Sequence, residues 1–248
     1  MHHFFVPSEQ IVESKDEIRI TGKDYNHAKN VLRIQIGEEV SVSNGIDERE
    51  YCCELKAFLE EEVILTICSV SEATTELSAN IILFQGLPKS DKMEWIVQKA
   101  TELGVHEIVP VATKRCVVKF DEKKAKSKVQ RWQTIAESAA KQSKRNKIPN
   151  VIKLHTYKEA MEYASTMDLL CIPYELAKGM QETREWIEQI QPGQRVGIFI
   201  GPEGGFSEEE IELARKQNIQ PITLGRRILR TETAGLTTLA FIMYHLEN

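Results

Sequence analysis

Residues 196–210 read VGIFIGPEGGFSEEE, and this stretch decides the fold. Val196–Ile200 is a continuous apolar run with no polar alternation. Such runs form strands buried on both faces, as in parallel sheets. Gly201-Pro202-Glu203-Gly204-Gly205 then breaks the run, and Ser207 with Glu210 makes an S-x-x-E capping box that starts a helix. Strand, glycine-rich loop and helix in this order mark the ligand-binding end of an α/β sheet. Three further runs have the same character: Ile81–Phe84, Ile108–Val111 and Leu169–Ile172. Helical spacing lies between and after them, in Met93, Ile96, Val97, Ala100 and Leu103, in Val129, Trp132, Ala136 and Ala139, and in Leu239, Ile242, Met243 and Leu246. Strands alternating with helices predict an α/β domain.

Upstream, the period changes. Ile18, Ile20, Val40, Val42, Leu55, Val63, Leu65 and Ile67 recur with period two, and Gly37 and Asn44-Gly45 supply turns. This predicts a small β-rich domain, a barrel, interrupted by one short helix over Tyr25–Arg33. The polar stretch Ser69–Ser78 separates the halves, with the boundary placed between residues 73 and 74.

At 248 residues, 42% hydrophobic and 28% charged, the chain has a globular composition, which excludes a disordered or fibrous protein. No apolar run is long enough to span a bilayer, and MHHFFVPSEQ lacks the pattern of a signal peptide. The five scattered cysteines include no C-x-x-C, so neither a disulfide framework nor a metal site is expected. A cytoplasmic protein is the default. The net charge is −5, yet Lys114–Lys147 holds twelve basic residues against three acidic ones; this window carries +9 and the remainder −14. A basic segment on an acidic body fits a phosphate-rich partner, although a solvated helix face gives the same pattern.

The 201–205 loop is neither a Walker A loop nor G-x-G-x-x-G. Glu203 within it and Glu208, Glu209 and Glu210 after it favour an uncharged or cationic ligand over a triphosphate. A second stretch, Leu224-Gly225-Arg226-Arg227-Ile228-Leu229-Arg230-Thr231-Glu232-Thr233-Ala234, sets three arginines before a helix start. Exposed arginines can be solvated, but that placement opposes the helix dipole, and a site needing positive charge would explain it.

Together, IGPEGGFSEEE and LGRRILRTETA resemble the RsmE family of ribosomal RNA methyltransferases in the SPOUT superfamily. Gly86-Leu87-Pro88-Lys89-Ser90-Asp91-Lys92, Lys99–Gly104, Arg115-Cys116-Val117-Val118-Lys119, Glu137–Arg145 and the series His27, Val31, Leu32, Arg33, Gly37 follow that family's remaining segments in order. The resemblance spans nearly the whole chain. Departures are Cys116 for a common serine and His3 where relatives often carry arginine, which removes one candidate RNA contact.

The resemblance implies a SPOUT-type, trefoil-knotted parallel-sheet methyltransferase domain (74–248) preceded by a PUA-like β-barrel (1–73) that contacts RNA. It implies a homodimer that uses S-adenosylmethionine to methylate N3 of a uridine in 16S rRNA, within the 30S subunit. The cofactor would be held by Ile200, Gly201, Pro202, Gly204 and Gly205, by Leu224, Gly225, Ile228, Leu229 and Arg230, and by Pro173 and Tyr174. Transfer to N3 requires loss of its proton, so Glu232 or Glu203 is expected as base and Arg230 as the stabiliser of uracil charge. Each glutamate also has a structural alternative, at the helix start or pinning the loop. RNA contacts are expected from Arg33, Lys89, Arg115, Lys119, Lys141, Arg145 and Arg226. His27 is expected to be structural, and Trp95, Trp132 and Trp186 to be core or interface anchors. A non-catalytic RNA-binding factor and a related methyltransferase of tRNA or ribose remain as alternatives.

Overall fold

The structure is a computed structural model that describes residues 1–72, 75–175, 177 and 179–247. The boundary expected at residues 73 and 74 lies outside the described residues. The chain forms two compact units, Met1–Glu76 with Ala140–Ile148, and Leu77–Ala139 with Pro149–Asn248.

The first unit is built on a six-stranded sheet. Its strands are β1 (His2–Phe5), β2 (Ile11–Val12), β3 (Glu17–Thr21), β4 (Glu39–Ser43), β5 (Arg49–Phe58) and β6 (Glu62–Glu72), in the order β1-β4-β5-β6-β3-β2. The β1–β4 pair is parallel and the others antiparallel. Alternation works as the sequence predicts: Ile18 and Ile20 are buried and Arg19 between them is exposed. They pack with Phe4, Val40, Val42, Leu55, Val63 and Leu65 in one core. The expected short helix starts earlier, as α1 (Gly22–Asn26), and widens into a π-type turn at His27–Leu32. No glycine follows to end it, so Arg33 itself takes the left-handed conformation at φ 54°.

Residues 140–148 also belong to this unit. Ile148 N–H donates to Gly45 O at 3.0 Å. Arg145 Nε donates to Glu76 Oε1 at 3.1 Å, and both side chains are buried. A charge pair so enclosed keeps its place only because each partner neutralises the other.

The second unit is a three-layer α/β structure. Its strands are β7 (Asn80–Gly86), β8 (Glu107–Ala112), β9 (Asn150–Val151), β10 (His155–Thr156), β11 (Leu169–Pro173), β12 (Arg195–Ile200) and β13 (Gln220–Ile222). The order is β10-β8-β7-β12-β11-β13, with β9 also on β8, and every pair is parallel. The helices are α2 (Lys92–Glu102), α3 (Glu122–Gln142), α4 (Tyr157–Ala164), α5 (Met180–Ile187), α6 (Glu208–Lys216) and α7 (Thr231–Leu246). Ile81, Leu83 and Ile198 face one core with α2, α3, α5 and α7; Ile82, Phe84 and Phe199 face the other with α4 and α6. Phe84 and Phe199 stack at 4.4 Å between ring centroids. Burial on both faces explains the unbroken apolar runs, each such side chain contributing about 1.5–3 kcal/mol.

Candidate active site at the carboxyl ends of the parallel strands

Strands β7, β11, β12 and β13 deliver their following loops to one edge of the sheet. Gly86 ends β7, and a Cβ there would lie 2.7 Å from Pro202 Cδ and 2.8 Å from Pro202 N. The 201–206 loop can therefore approach β7 only because residue 86 has no side chain. Gly205 N–H donates to Pro202 O at 2.9 Å and Gly205 sits at φ 65°, which folds the loop back on itself.

The capping box then stops the loop. Ser207 Oγ accepts from Glu210 N–H and Glu210 Oε2 accepts from Ser207 N–H at 2.8 Å. The other carboxylate oxygen of Glu210 accepts from Lys114 N–H, also at 2.8 Å. One buried glutamate thus joins the start of α6 to the chain after β8. At the start of α7, Thr231 Oγ1 donates to Gly201 O at 2.6 Å and accepts from Gln85 Nε2 at 2.9 Å. Gln85 is a fully buried polar residue directly after the apolar run Ile81–Phe84 of β7. Neither Gln85 nor Thr231 figures in the sequence-based site. The signal was present, in the single polar residue of the run that follows Ile81–Phe84.

Between these loops lies a pocket of about 480 Å³, within the range of about 300–1,000 Å³ common for small-molecule sites. It brings together all the residues expected for the cofactor: Pro173, Tyr174, Ile200, Gly201, Pro202, Gly204, Gly205, Leu224, Gly225, Ile228, Leu229 and Arg230. Glu203, Arg115 and Arg226 line it too, as do Lys92, Glu175 and Arg227. Arg115 reaches Gly204 O at 3.0 Å, so one of the expected RNA contacts also steadies the loop.

Glu203 Oε1 accepts from Lys92 Nζ at 2.9 Å and from Lys89 N–H at 3.1 Å. Partial burial pushes its carboxyl upward, but hydrogen bonds from Lys92, its own backbone N–H and Lys89 outweigh this and hold it below the usual carboxylate range. The hydrogen bond to Glu203 likewise raises the Lys92 ammonium above its ordinary value. Glu232, on the first turn of α7, does not line the pocket. Its Oε2 lies 3.3 Å from Lys92 Nζ, is buried and has no hydrogen bond of good geometry. Lys92, absent from the sequence-based site, is thus the point where the two glutamates meet.

The RNA candidates separate. Lys89 and Lys119 are exposed on the second unit, and Arg33 is exposed on the first. Lys141 is ion-paired with Asp24 at 3.2 Å. Arg145 is 3% exposed, and its guanidinium is held by Glu76. That burial corrects its expected role: it anchors residues 140–148 instead of meeting RNA at the surface. Ion pairs also hold Lys114, Lys128, Arg131 and Lys147, so much of the basic segment is balanced within the chain. Trp132 and Trp186 are core residues, whereas Trp95 on α2 is 46% exposed. Among the described residues no cluster of His, Cys, Asp or Glu could hold a metal ion, and no helix is long and apolar enough to cross a membrane.

Comparison with known proteins agrees with this geometry. The RNA methyltransferase domain family matches residues 75–243, and the RNA methyltransferase PUA domain family matches residues 20–68. Ribosomal RNA small subunit methyltransferase E of Bacillus subtilis is 36% identical over the whole of this chain and 98% of its own. The protein of the same name from Synechocystis is 32% identical, over the whole of this chain and 78% of its own. A crystal structure of the Neisseria gonorrhoeae enzyme bound to S-adenosyl methionine superposes with a TM-score of 0.81 at 30% identity, over 97% of this chain and 96% of that one. Family matches across both units, at these identities and over this length, place the chain in the ribosomal RNA small subunit methyltransferase E family of RNA methyltransferases.

Proposed function

We propose that the chain transfers a methyl group from S-adenosylmethionine to N3 of a uridine in the decoding region of 16S rRNA, within the 30S subunit. The observation that carries this reading is the convergence of the 200–206 and 223–230 loops on one pocket with arginines at its wall. The pocket suits the cofactor. Ile200, Leu224, Ile228 and Leu229 offer apolar walls for an adenine, and Gly201, Gly205 and Gly225 leave main-chain groups open to close approach. Its Glu175 and Glu203 carboxylates complement a sulfonium rather than a polyphosphate. When bound, S-adenosylmethionine supplies an electrophilic methyl group on a cationic sulfur.

The chain's own residues do the rest. Pocket walls hold the reacting atoms in line, which contributes much of the rate. Arg230, exposed at the start of α7, stabilises negative charge on the uracil oxygens. The N3 proton passes to a carboxylate, Glu232 or Glu203. Arg226, Arg115, Lys89 and Lys119 hold RNA phosphates, with Arg33 on the first unit, and the target uridine turns out of its structure to reach the pocket. The reading assigns RNA binding to residues 1–73 and transfer to 74–248, whose chain forms a trefoil knot. Exposed Trp95 and Tyr244, on the mutually packed helices α2 and α7, support a homodimer interface. The setting is cytoplasmic.

The test is transfer of labelled methyl from S-adenosylmethionine to 30S subunits lacking the modification. The expected product is N3-methyluridine in the decoding region, lost in Arg230→Ala. An unchanged single-turnover rate in Glu203→Gln or in Glu232→Gln would remove that residue as the base. Cofactor binding without 30S product would sink the substrate assignment, and absence of both would favour the non-catalytic RNA-binding factor.

A further inference from the structure

Lys92 opens α2 at the pocket wall, and its side chain keeps 29% of its exposure. Its ammonium is 2.9 Å from Glu203 Oε1 and 3.3 Å from Glu232 Oε2. Glu203 belongs to the loop after β12 and Glu232 to the start of α7. Both segments contribute residues to the pocket lining, Glu203 from the loop and Thr231 and Ala234 from the start of α7. Lys92 lines the pocket, and its ammonium is the contact that Glu203 and Glu232 have in common.

We propose that Lys92 is a positioning residue for methyl transfer: one ammonium clamps the Glu203 and Glu232 carboxylates, fixing the 201–206 loop against the start of α7. Two nearby carboxylates repel each other when both are ionised, and a cation between them keeps both charged. Nor does another cation do this work. Lys89 reaches Glu203 only through its backbone N–H. Arg115 reaches Gly204 O. Arg226, Arg227 and Arg230 line the pocket from the 223–230 loop, Glu175 adds negative charge, and no ion pair joins any of them to Glu203 or Glu232. The buried, unbonded Oε2 of Glu232 has Lys92 as its sole counter-ion among the described residues. Lys92 therefore acts through the two glutamates and need not touch substrate.

This inference rests on the methyltransferase reading, and the experiment separates the two. Lys92→Met and Lys92→Arg are compared with wild type in single-turnover methylation of 30S subunits across pH, with cofactor affinity and melting temperature measured in parallel. In Lys92→Met the maximal rate is expected to fall by about tenfold or more, since misplacement by an ångström costs up to about a hundredfold. The acid limb of the pH–rate profile is expected to move to higher pH, because Glu203 loses the partner that keeps it ionised in acid. Lys92→Arg should restore both the rate and the limb. A lower melting temperature with an unmoved limb and an unchanged rate would overturn the proposal, leaving Lys92 a purely structural residue. A wild type that methylates no rRNA would overturn the functional reading, and this inference with it.

Discussion

At Gly86 the fold leaves no space for a single methyl group. A Cβ there meets Pro202 backbone and ring at 2.7–2.8 Å, and neither is the free end of a flexible side chain. Gly86→Ala is therefore expected to push the 201–206 loop outward and weaken S-adenosylmethionine binding by at least about tenfold, a loss of about 1.4 kcal/mol readable by calorimetry. Unchanged affinity would show that the loop does not form the cofactor wall. The cysteines give a second expectation. Burial, with Cys68 and Cys52 close by, pushes the Cys53 thiol up to about 12, and burial alone raises Cys171 well above its ordinary value. Cys68 is exposed. At pH 8 a thiol reagent should label Cys68 in the native protein and reach Cys53 and Cys171 only after denaturation, because raised thiols carry almost no thiolate there. Single residues were also where the sequence was least legible. Glu203 stood out as a charge among glycines, and Arg230 as one of three arginines before a helix start. Lys92 did not, because a lysine at a helix start looks solvated until its two partners, more than a hundred residues away, are known.

At the scale of elements the sequence was far more legible. Four continuous apolar runs became β7, β8, β11 and β12, and the S-x-x-E signal became the start of α6. Both signals are local, a matter of period and of a cap four residues long. Strands β9, β10 and β13 were missed because two or three residues carry no period. The cap has a measurable weight. Ser207→Ala is expected to cost about 1 kcal/mol. Glu210→Ala should cost more, about 2 kcal/mol, since it removes the reciprocal cap bond and also strips the part-buried Lys114 N–H of its acceptor. Urea midpoints of the two variants check this; equal midpoints would mean that the Lys114 contact contributes nothing.

At the scale of the whole molecule, a linear reading divides the chain once, whereas the structure returns residues 140–148 to the first unit. That return was illegible because Arg145 and its partner Glu76 are 69 residues apart, and the arginine reads as one more charge in a basic run. Removing one member of a buried pair strands the other. Arg145→Met is therefore expected to destabilise the protein by about 3–5 kcal/mol, and the added change Glu76→Gln to recover part of it. Chemical denaturation of the single and double variants measures the coupling; a single variant as stable as wild type would refute it. A further consequence comes from the pairing of β7 with β12, where Ile81 lies beside Val196 in the middle of the sheet. On the ribosome β7 emerges long before the neighbour that covers its edge. At about 5–20 residues per second, the 115 residues between them take roughly 6–23 s to appear. Throughout that interval a strand with four consecutive apolar residues, Ile81–Phe84, has an open edge, a state prone to aggregation. An enzyme that matures ribosomes thus depends on the ribosome's own pace to complete its central sheet.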